Sequence, residues 1–167
     1  MKVPATPRLT LREMTDADLD DMAALLGDDD VMRYYPRPMS RGEAQDWIAR
    51  NRRRYRVHGF GLWIVNLRGS GEFVGDCGLT LQHVDGADEL EVGYHVRPGM
   101  QGNGYATEAA AAARDFARDV LGARRLIAII NPLNVPSRRV AAKIGLTEEK
   151  RAVAPDGAEA VIYATCW

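Results

Sequence analysis

The first sixty residues place apolar positions at the spacings of one strand and two helices. Leu9-Thr10-Leu11-Arg12 alternates between apolar and polar residues, which predicts a strand. A helix is expected between a capping Thr15 and a terminating Gly27, with an apolar face formed by Leu19, Met22, Ala23 and Leu26. Ser40-Arg41-Gly42-Glu43 has the spacing of a capping box, so it predicts the start of a second helix.

The middle of the chain changes to the spacing of strands. Residues 62–67 and 73–81 are rich in β-forming residues and are separated by the turn Arg68-Gly69-Ser70-Gly71, which predicts a hairpin. A second turn, Val84-Asp85-Gly86-Ala87, leads into a strand over residues 89–96. We therefore expect three consecutive antiparallel strands.

The last third alternates between helices and strands. Small residues recur at helical spacing over residues 107–121, which predicts a helix that packs closely on a sheet. Residues 125–130 are almost continuously apolar, as expected of a buried parallel strand. Asn134 has the position of a cap for a short helix, and two closing strands are expected near residues 147–153 and 159–166. The order predicts an α/β fold: a central mixed, mostly antiparallel sheet of about seven strands, flanked by about four helices on both faces.

Composition narrows the class of protein. A chain of 167 residues is most simply one domain, residues 1–167. The 22 basic and 23 acidic residues nearly balance, which argues against nucleic acid or an anionic membrane as a partner. Cys77 and Cys166 lack the spacing of a metal or redox site and fit a reducing cytoplasm. With neither a long apolar run nor an apolar signal core at the N-terminus, a cytoplasmic protein is expected.

The segment Gln101-Gly102-Asn103-Gly104-Tyr105-Ala106 lies between a predicted strand and a predicted helix. The first amides of a helix have no intrahelical acceptor, and glycines allow a phosphate to approach the backbone, so this loop predicts a phosphate site. A Rossmann dinucleotide site is disfavoured, because Thr107 stands where its third glycine is expected and antiparallel strands precede the loop. The Gly-Lys-Ser/Thr of a P-loop is absent.

Four motifs, in order, resemble the GNAT acetyltransferase superfamily and its RimJ/RimL-like branch. Gln101-x-x-Gly104-x-Ala106 matches the glycine signature of the superfamily. The other matching segments are Thr6 to Arg12, Glu91-Val92-Gly93-Tyr94, and Asn131-x-x-Asn134-x-x-Ser137 followed by Lys143-Ile144-Gly145-Leu146. His95 departs from the branch, which often has a bulky aromatic residue there.

The resemblance implies a GNAT-like fold and acetyl-CoA as the co-substrate. In the family the pyrophosphate binds the amides of the glycine loop, which here are those of Gln101, Gly102, Asn103, Gly104, Tyr105 and Ala106. The pantetheine arm pairs with the preceding strand, here at Tyr94, His95 and Val96. No metal is expected, because the three histidines lack ligand spacing.

Acetyl transfer to an amine needs a base, a stabilised carbonyl oxygen and a proton donor for the leaving thiolate. By resemblance, Ser137 is the candidate acid, with helix capping as the alternative. Asn134 caps that helix and is a candidate to contact the pantetheine or to position a water. Glu91 is the candidate base through a water, with pairing to an arginine as the alternative. His95 is a second candidate base, and Tyr163 a further candidate to approach the cavity.

The expected acceptor is a primary amine, either the α-amine of a protein or a small molecule. A catalytically inactive acyl-CoA-binding protein on the same fold is the alternative from another class. Tyr34-Tyr35-Pro36 is a candidate for the acceptor mouth, and Asp28-Asp29-Asp30 is expected to be a solvated loop. Arginines cluster in the second helix, where a solvated face is expected and contact with substrate or the 3′-phosphate of CoA is the alternative: Arg50, Arg52, Arg53, Arg54 and Arg56. A monomer or a homodimer fits the family.

Overall fold

The computed structural model describes residues 3–167, which form one seven-stranded sheet and four α-helices. The predicted mixed sheet and the predicted order of elements are therefore confirmed. The strands are β1 Leu9–Arg12, β2 Leu62–Leu67, β3 Phe73–Val84, β4 Ala87–Val96, β5 Arg125–Ile130, β6 Thr147–Val153 and β7 Glu159–Cys166. The helices are α1 Leu19–Leu26, α2 Arg41–His58, α3 Tyr105–Asp119 and α4 Val135–Lys143. Within residues 3–167 no helix has both the length and the apolarity needed to cross a membrane.

Boundaries differ from those predicted at the hairpin of β3 and β4 and at both ends of α3. The hairpin of β3 and β4 extends to Val84 and Ala87, because Asp85 and Gly86 both take positive φ (50° and 82°) and form a two-residue turn that continues the strand ladder. The α3 helix begins at Tyr105 rather than Thr107, since the left-handed Gly104 is already its N-cap. The helix ends at Asp119, two residues before the predicted end, and Val120 is its C-cap.

The strands lie in the order β1-β2-β3-β4-β5-β7-β6. Every neighbouring pair is antiparallel except β4 and β5, which are parallel as predicted. These two strands share a single register position, Glu91 opposite Ile127, although β4 continues to Val96 and β5 to Ile130. Their carboxyl ends therefore separate. Backbone groups near the end of β4 have no strand partner on the side toward β5, although they stay paired with β3 on the other side.

Helices cover both faces of the sheet, as the sequence predicted. On one face α3 packs through Phe116, whose ring lies 5.3 Å from that of Trp63, centroid to centroid. On the other face Trp47 of α2 donates to Asp76 of β3. Alternate residues of β4 thus face different helices: Tyr94 reaches α4, and His95 lies against α2. The separated ends of β4 and β5 open between these two layers.

Candidate functional site

A cleft of about 1020 Å³ lies where β4 and β5 separate. It is lined by eleven of the twelve residues predicted for the site: Glu91, Tyr94, His95, Val96, Gln101, Gly102, Gly104, Tyr105, Ala106, Asn134 and Ser137. Asn103 is the exception, because its side-chain amide turns back onto the carbonyls of Met100 and Gln101 at 3.1 and 3.2 Å. Its side chain therefore shapes the loop and does not line the cleft.

The glycine loop forms the end of the cleft next to α3. Gly102 and Gly104 have φ of 78° and 81°, in the left-handed region that favours glycine. Gln101 donates from Nε2 to the carbonyl of Val96 at 2.9 Å, which ties the loop to the end of β4. The first amides of α3 lack intrahelical acceptors, and Tyr105, Ala106 and the loop glycines line the cleft. The loop thus has the geometry of an anion cradle.

Arg8 supports this loop from outside. Its Nε donates to Glu108 Oε2 at 2.6 Å, its Nη1 donates to the carbonyl of Asn103 at 3.0 Å, and its guanidinium lies 4.8 Å from the centroid of the Tyr105 ring. Arg8 and Glu108 are 100 residues apart in sequence. Arg8 belongs to one of the segments on which the family resemblance rested, but the sequence did not predict its contact with Glu108.

Ser137 and Tyr94 meet at the start of α4. Asn134 caps the helix as predicted, accepting from the Ser137 amide at 3.2 Å. The Ser137 hydroxyl donates to the Tyr94 hydroxyl at 3.1 Å, and Tyr94 donates to the Ser137 carbonyl at 2.8 Å. Burial raises the pKa of Tyr94 above its ordinary value, although the bond with Ser137 lowers it in part. The Ser137 side chain is therefore directed at Tyr94 and is not needed for the cap.

Glu91 is a carboxylate enclosed in the cleft. Thr80 donates to its Oε2 at 2.9 Å from the opposite position on β3. Burial raises the pKa of Glu91 above its ordinary value, while the Thr80 bond acts in the other direction. Within the described chain Glu91 has no arginine partner, and the ion pair expected as its alternative is made by Glu89 instead, at 3.0 Å from Arg125.

His95 belongs to a chain of four side chains. Its Nδ1 lies 2.7 Å from Oδ1 of the buried Asp76, whose Oδ2 accepts from Trp47 Nε1 at 3.1 Å. Its Nε2 lies 2.7 Å from the Tyr35 hydroxyl. Burial alone lowers the pKa of His95, but the charge and hydrogen bond of Asp76 outweigh it and the pKa lies above its ordinary value. Both ring nitrogens are thus engaged within the protein.

Other predicted features are placed as follows. Tyr34 and Tyr35 line the cleft, as proposed for the acceptor mouth. Tyr163 does not line it, because its hydroxyl accepts from Arg138 Nε at 3.0 Å. The Asp28 carboxylate accepts from the amides of Asp30 and Val31, so it stabilises its own turn. Within residues 3–167 no group of three or more His, Cys, Asp or Glu is arranged to hold a metal ion.

Sequence reasoning missed Asp76, Trp47 and the Tyr94 hydroxyl as parts of the site. A signal for Asp76 was present, because a two-residue turn at Asp85 and Gly86 fixes the register that places Asp76 opposite His95. The Trp47 and Tyr94 contacts join separate elements and have no local signal.

A model of the GNAT acetyltransferase domain family matches residues 8–147. An uncharacterized Bacillus subtilis (strain 168) protein, YkkB, is 37% identical over 146 residues, which span 87% of this chain and 85% of the relative. An acetyltransferase structure from Agrobacterium tumefaciens str. C58 superposes with a TM-score of 0.85 at 26% identity, covering 100% of this chain and 95% of that one.

The fold is also that of Mycobacterium smegmatis RimJ, solved in complex with CoA-disulfide. The TM-score is 0.73 at 24% identity, over 95% of this chain and 81% of RimJ. The seven-stranded sheet opened between β4 and β5 and the family match over residues 8–147 lead to the same assignment. The chain therefore belongs to the GNAT acetyltransferase family and is an acyltransferase.

Proposed function

We propose that the protein transfers the acetyl group of acetyl-CoA to a primary amine, specifically the N-terminal α-amine of a protein or peptide, as expected of the RimJ/RimL-like branch. The observation that carries the proposal is one continuous cleft with an anion cradle at the glycine loop and with Glu91 and Ser137 in its walls. Acetyl-CoA supplies an activated acetyl group as a thioester. The residues present fit it, since Gly102 and Gly104 add no Cβ atoms to the cradle and the end of β4 lacks a strand partner on the side toward β5.

In this proposal Glu91 is the base. The amine nitrogen forms a bond to the acetyl carbon as the carbon–sulfur bond breaks, and the amine proton passes through a water to Glu91. In its ionised form, a buried carboxylate with a raised pKa is a stronger base than an exposed one. An α-amine has a pKa of about 8 and is partly neutral at pH 7, so a base of this strength suits it better than a lysine side chain.

Ser137 is the acid in the same scheme. Its hydroxyl gives a proton to the departing CoA sulfur and lies 3.1 Å from the Tyr94 hydroxyl, which can replace that proton. Asn134 holds the first turn of α4 in place through the Ser137 amide. His95 is a weaker candidate for the base than Glu91, because its Nε2 is engaged by Tyr35 and reaches the acceptor side only through that hydroxyl.

Release of free thiol from acetyl-CoA in the presence of amines tests the activity. We expect turnover with peptides that carry a free N-terminus, and none with the same peptides after N-terminal blocking. Turnover confined to polyamines, aminoglycosides or free amino acids would identify a small-molecule acceptor instead. CoA binding without turnover on any amine would favour a non-catalytic acyl-CoA-binding protein.

Substitution of Ser137 by alanine is expected to lower kcat by about 10²-fold, the lower end of general-acid effects, because a thiolate is already a good leaving group. CoA affinity measured by calorimetry should stay unchanged, since the Asn134 cap contacts the Ser137 backbone and not its hydroxyl. An undiminished kcat at saturating substrate would contradict the assignment and leave Ser137 as a part of the helix terminus.

A further inference from the structure

The α2 helix directs two arginines into the cleft. Arg50 and Arg54 are one helical turn apart, and both line the cavity together with Trp47. They stand on the side of the sheet that carries Glu91 and His95. Burial lowers the pKa of Arg54 and the negative charge of Glu91 acts to raise it, so the two side chains interact electrostatically. Within the cluster for which a solvated face was expected, these two positions thus line the cleft.

Neither arginine forms an ion pair with a carboxylate of the described chain, whereas three nearby arginines do. Arg52 of the same helix pairs with Asp16 at 2.7 Å, Arg41 with Asp20 at 2.6 Å, and Arg37, also in the cleft wall, with Glu43 at 2.8 Å. A guanidinium stays charged in proteins even when it is partly buried. On its α2 side the cleft thus contains two cations, Arg50 and Arg54, whose charge the described protein does not balance by direct pairing.

Both guanidinium groups are held in position by protein contacts that leave donors free. Arg50 lies 5.6 Å from the centroid of the Trp47 ring. Arg54 donates from Nη1 to Oδ1 of the fully buried Asn51 at 3.2 Å, and Asn51 is itself held by the amide of Leu62 and the carbonyl of Trp47. Pre-positioned guanidinium groups with free N–H donors are suited to bind a carboxylate or a phosphate.

CoA phosphates are a poor match for this pair. The pyrophosphate cradle lies beyond Val96 at the carboxyl end of β4, whereas Arg54 lies near Glu91 and Thr80, farther back along the strands. We therefore propose that Arg50 and Arg54 form an anion subsite of the acceptor pocket, so that the preferred acceptor is a primary amine that also carries a carboxylate or phosphate group. This inference rests on the proposed acetyltransferase function and narrows its substrate.

Matched pairs of acceptors test the subsite through thiol release from acetyl-CoA. The pairs are C-terminally amidated peptides with Glu or Gln as the second residue, alanine and alaninamide, and O-phosphoethanolamine and ethanolamine. The first pair tests an acidic peptide as the source of the anion, the second tests a free amino acid, and the third tests a phosphorylated amine. We expect kcat/KM to favour the anionic member of at least one pair by about 10- to 100-fold, as for a charge-assisted hydrogen bond.

Variants assign the preference to the two arginines. The double substitution R50Q/R54Q should abolish the preference while activity on the neutral member and the affinity for CoA are retained. The variant R50K/R54K should keep part of the preference for the anionic acceptor. The control R53Q/R56Q should keep the full preference, because Arg53 and Arg56 lie on the same helix but do not line the cleft.

Three results would overturn the inference. They are equal kcat/KM within every pair, a preference that survives R50Q/R54Q, and a large loss of CoA affinity in that variant, which would assign the arginines to the co-substrate. Absence of turnover on every amine would overturn the proposed function itself, and the inference with it.

Discussion

Replacement of Gly104 by valine is expected to weaken CoA binding by about 100-fold or more. Gly104 has φ of 81° and is the N-cap of α3, and a residue with a Cβ in this region costs about 1–2 kcal/mol, with β-branched residues the least tolerated. The new Cβ would lie 3.3 Å from Arg8 Nη2, in the contact network that supports the loop. Loss of one charge-assisted hydrogen bond to phosphate adds about 1.5–3 kcal/mol, and the sum of about 2.5–5 kcal/mol corresponds to about two orders of magnitude in affinity or more.

Calorimetric titration with CoA measures this change, and Gly99→Ala is the matched control. Gly99 precedes the loop, has no positive φ, and an added Cβ there would meet no atom within 4 Å. The control should bind CoA like the parent protein. Circular dichroism shows whether Gly104→Val remains folded. A folded Gly104→Val protein with unchanged affinity would refute the assignment of the loop to CoA phosphate.

Substitution of Glu91 by glutamine should lower kcat by about 10²- to 10⁴-fold, the range for removal of a general base. The amide has nearly the same shape and can still accept from Thr80, so CoA affinity should be preserved. The base works in its ionised form, so the activity of the parent protein should fall as the pH drops through the pKa of Glu91, which burial raises above its ordinary value. This acid limb should be absent from the residual activity of the variant.

Glu89→Gln is the control for that experiment. Glu89 lies on the same face of β4 but pairs with Arg125 and does not line the cleft, so its loss should leave kcat close to the parent value. His95→Gln tests the other candidate base with the same pH profile. Retention of the acid limb in Glu91→Gln together with its loss in His95→Gln would transfer the role to the chain formed by His95, Asp76 and Tyr35.

Interactions between residues that are close in sequence could be predicted from the sequence alone. The caps at Ser40 and Asn134, the turn at Asp85 and Gly86, and the left-handed positions of the glycine loop depend on backbone geometry within a few residues. The periodicity of apolar residues determined the order of the elements for the same reason, since each spacing reflects one local geometry. The conformation of the glycine loop and the fold class could therefore be predicted from the sequence.

The chemistry of the cleft depended on contacts between distant residues. The pKa of Glu91 is raised only through its burial, and the Ser137 hydroxyl meets the Tyr94 hydroxyl only because Tyr94 reaches from β4 to α4. Five arginines of α2 look equivalent in sequence, yet Arg52 finds Asp16 on another element while Arg50 and Arg54 face the cavity.

The sequence by itself thus determined the order of the elements and the position of the glycine loop, because local backbone preferences and periodicity encode them, and its motifs carried the family resemblance. The tertiary structure decided which charged side chains are paired and which line the cleft. Desolvation and ion pairing depend on what packs across the sheet, and no spacing along the chain records that packing.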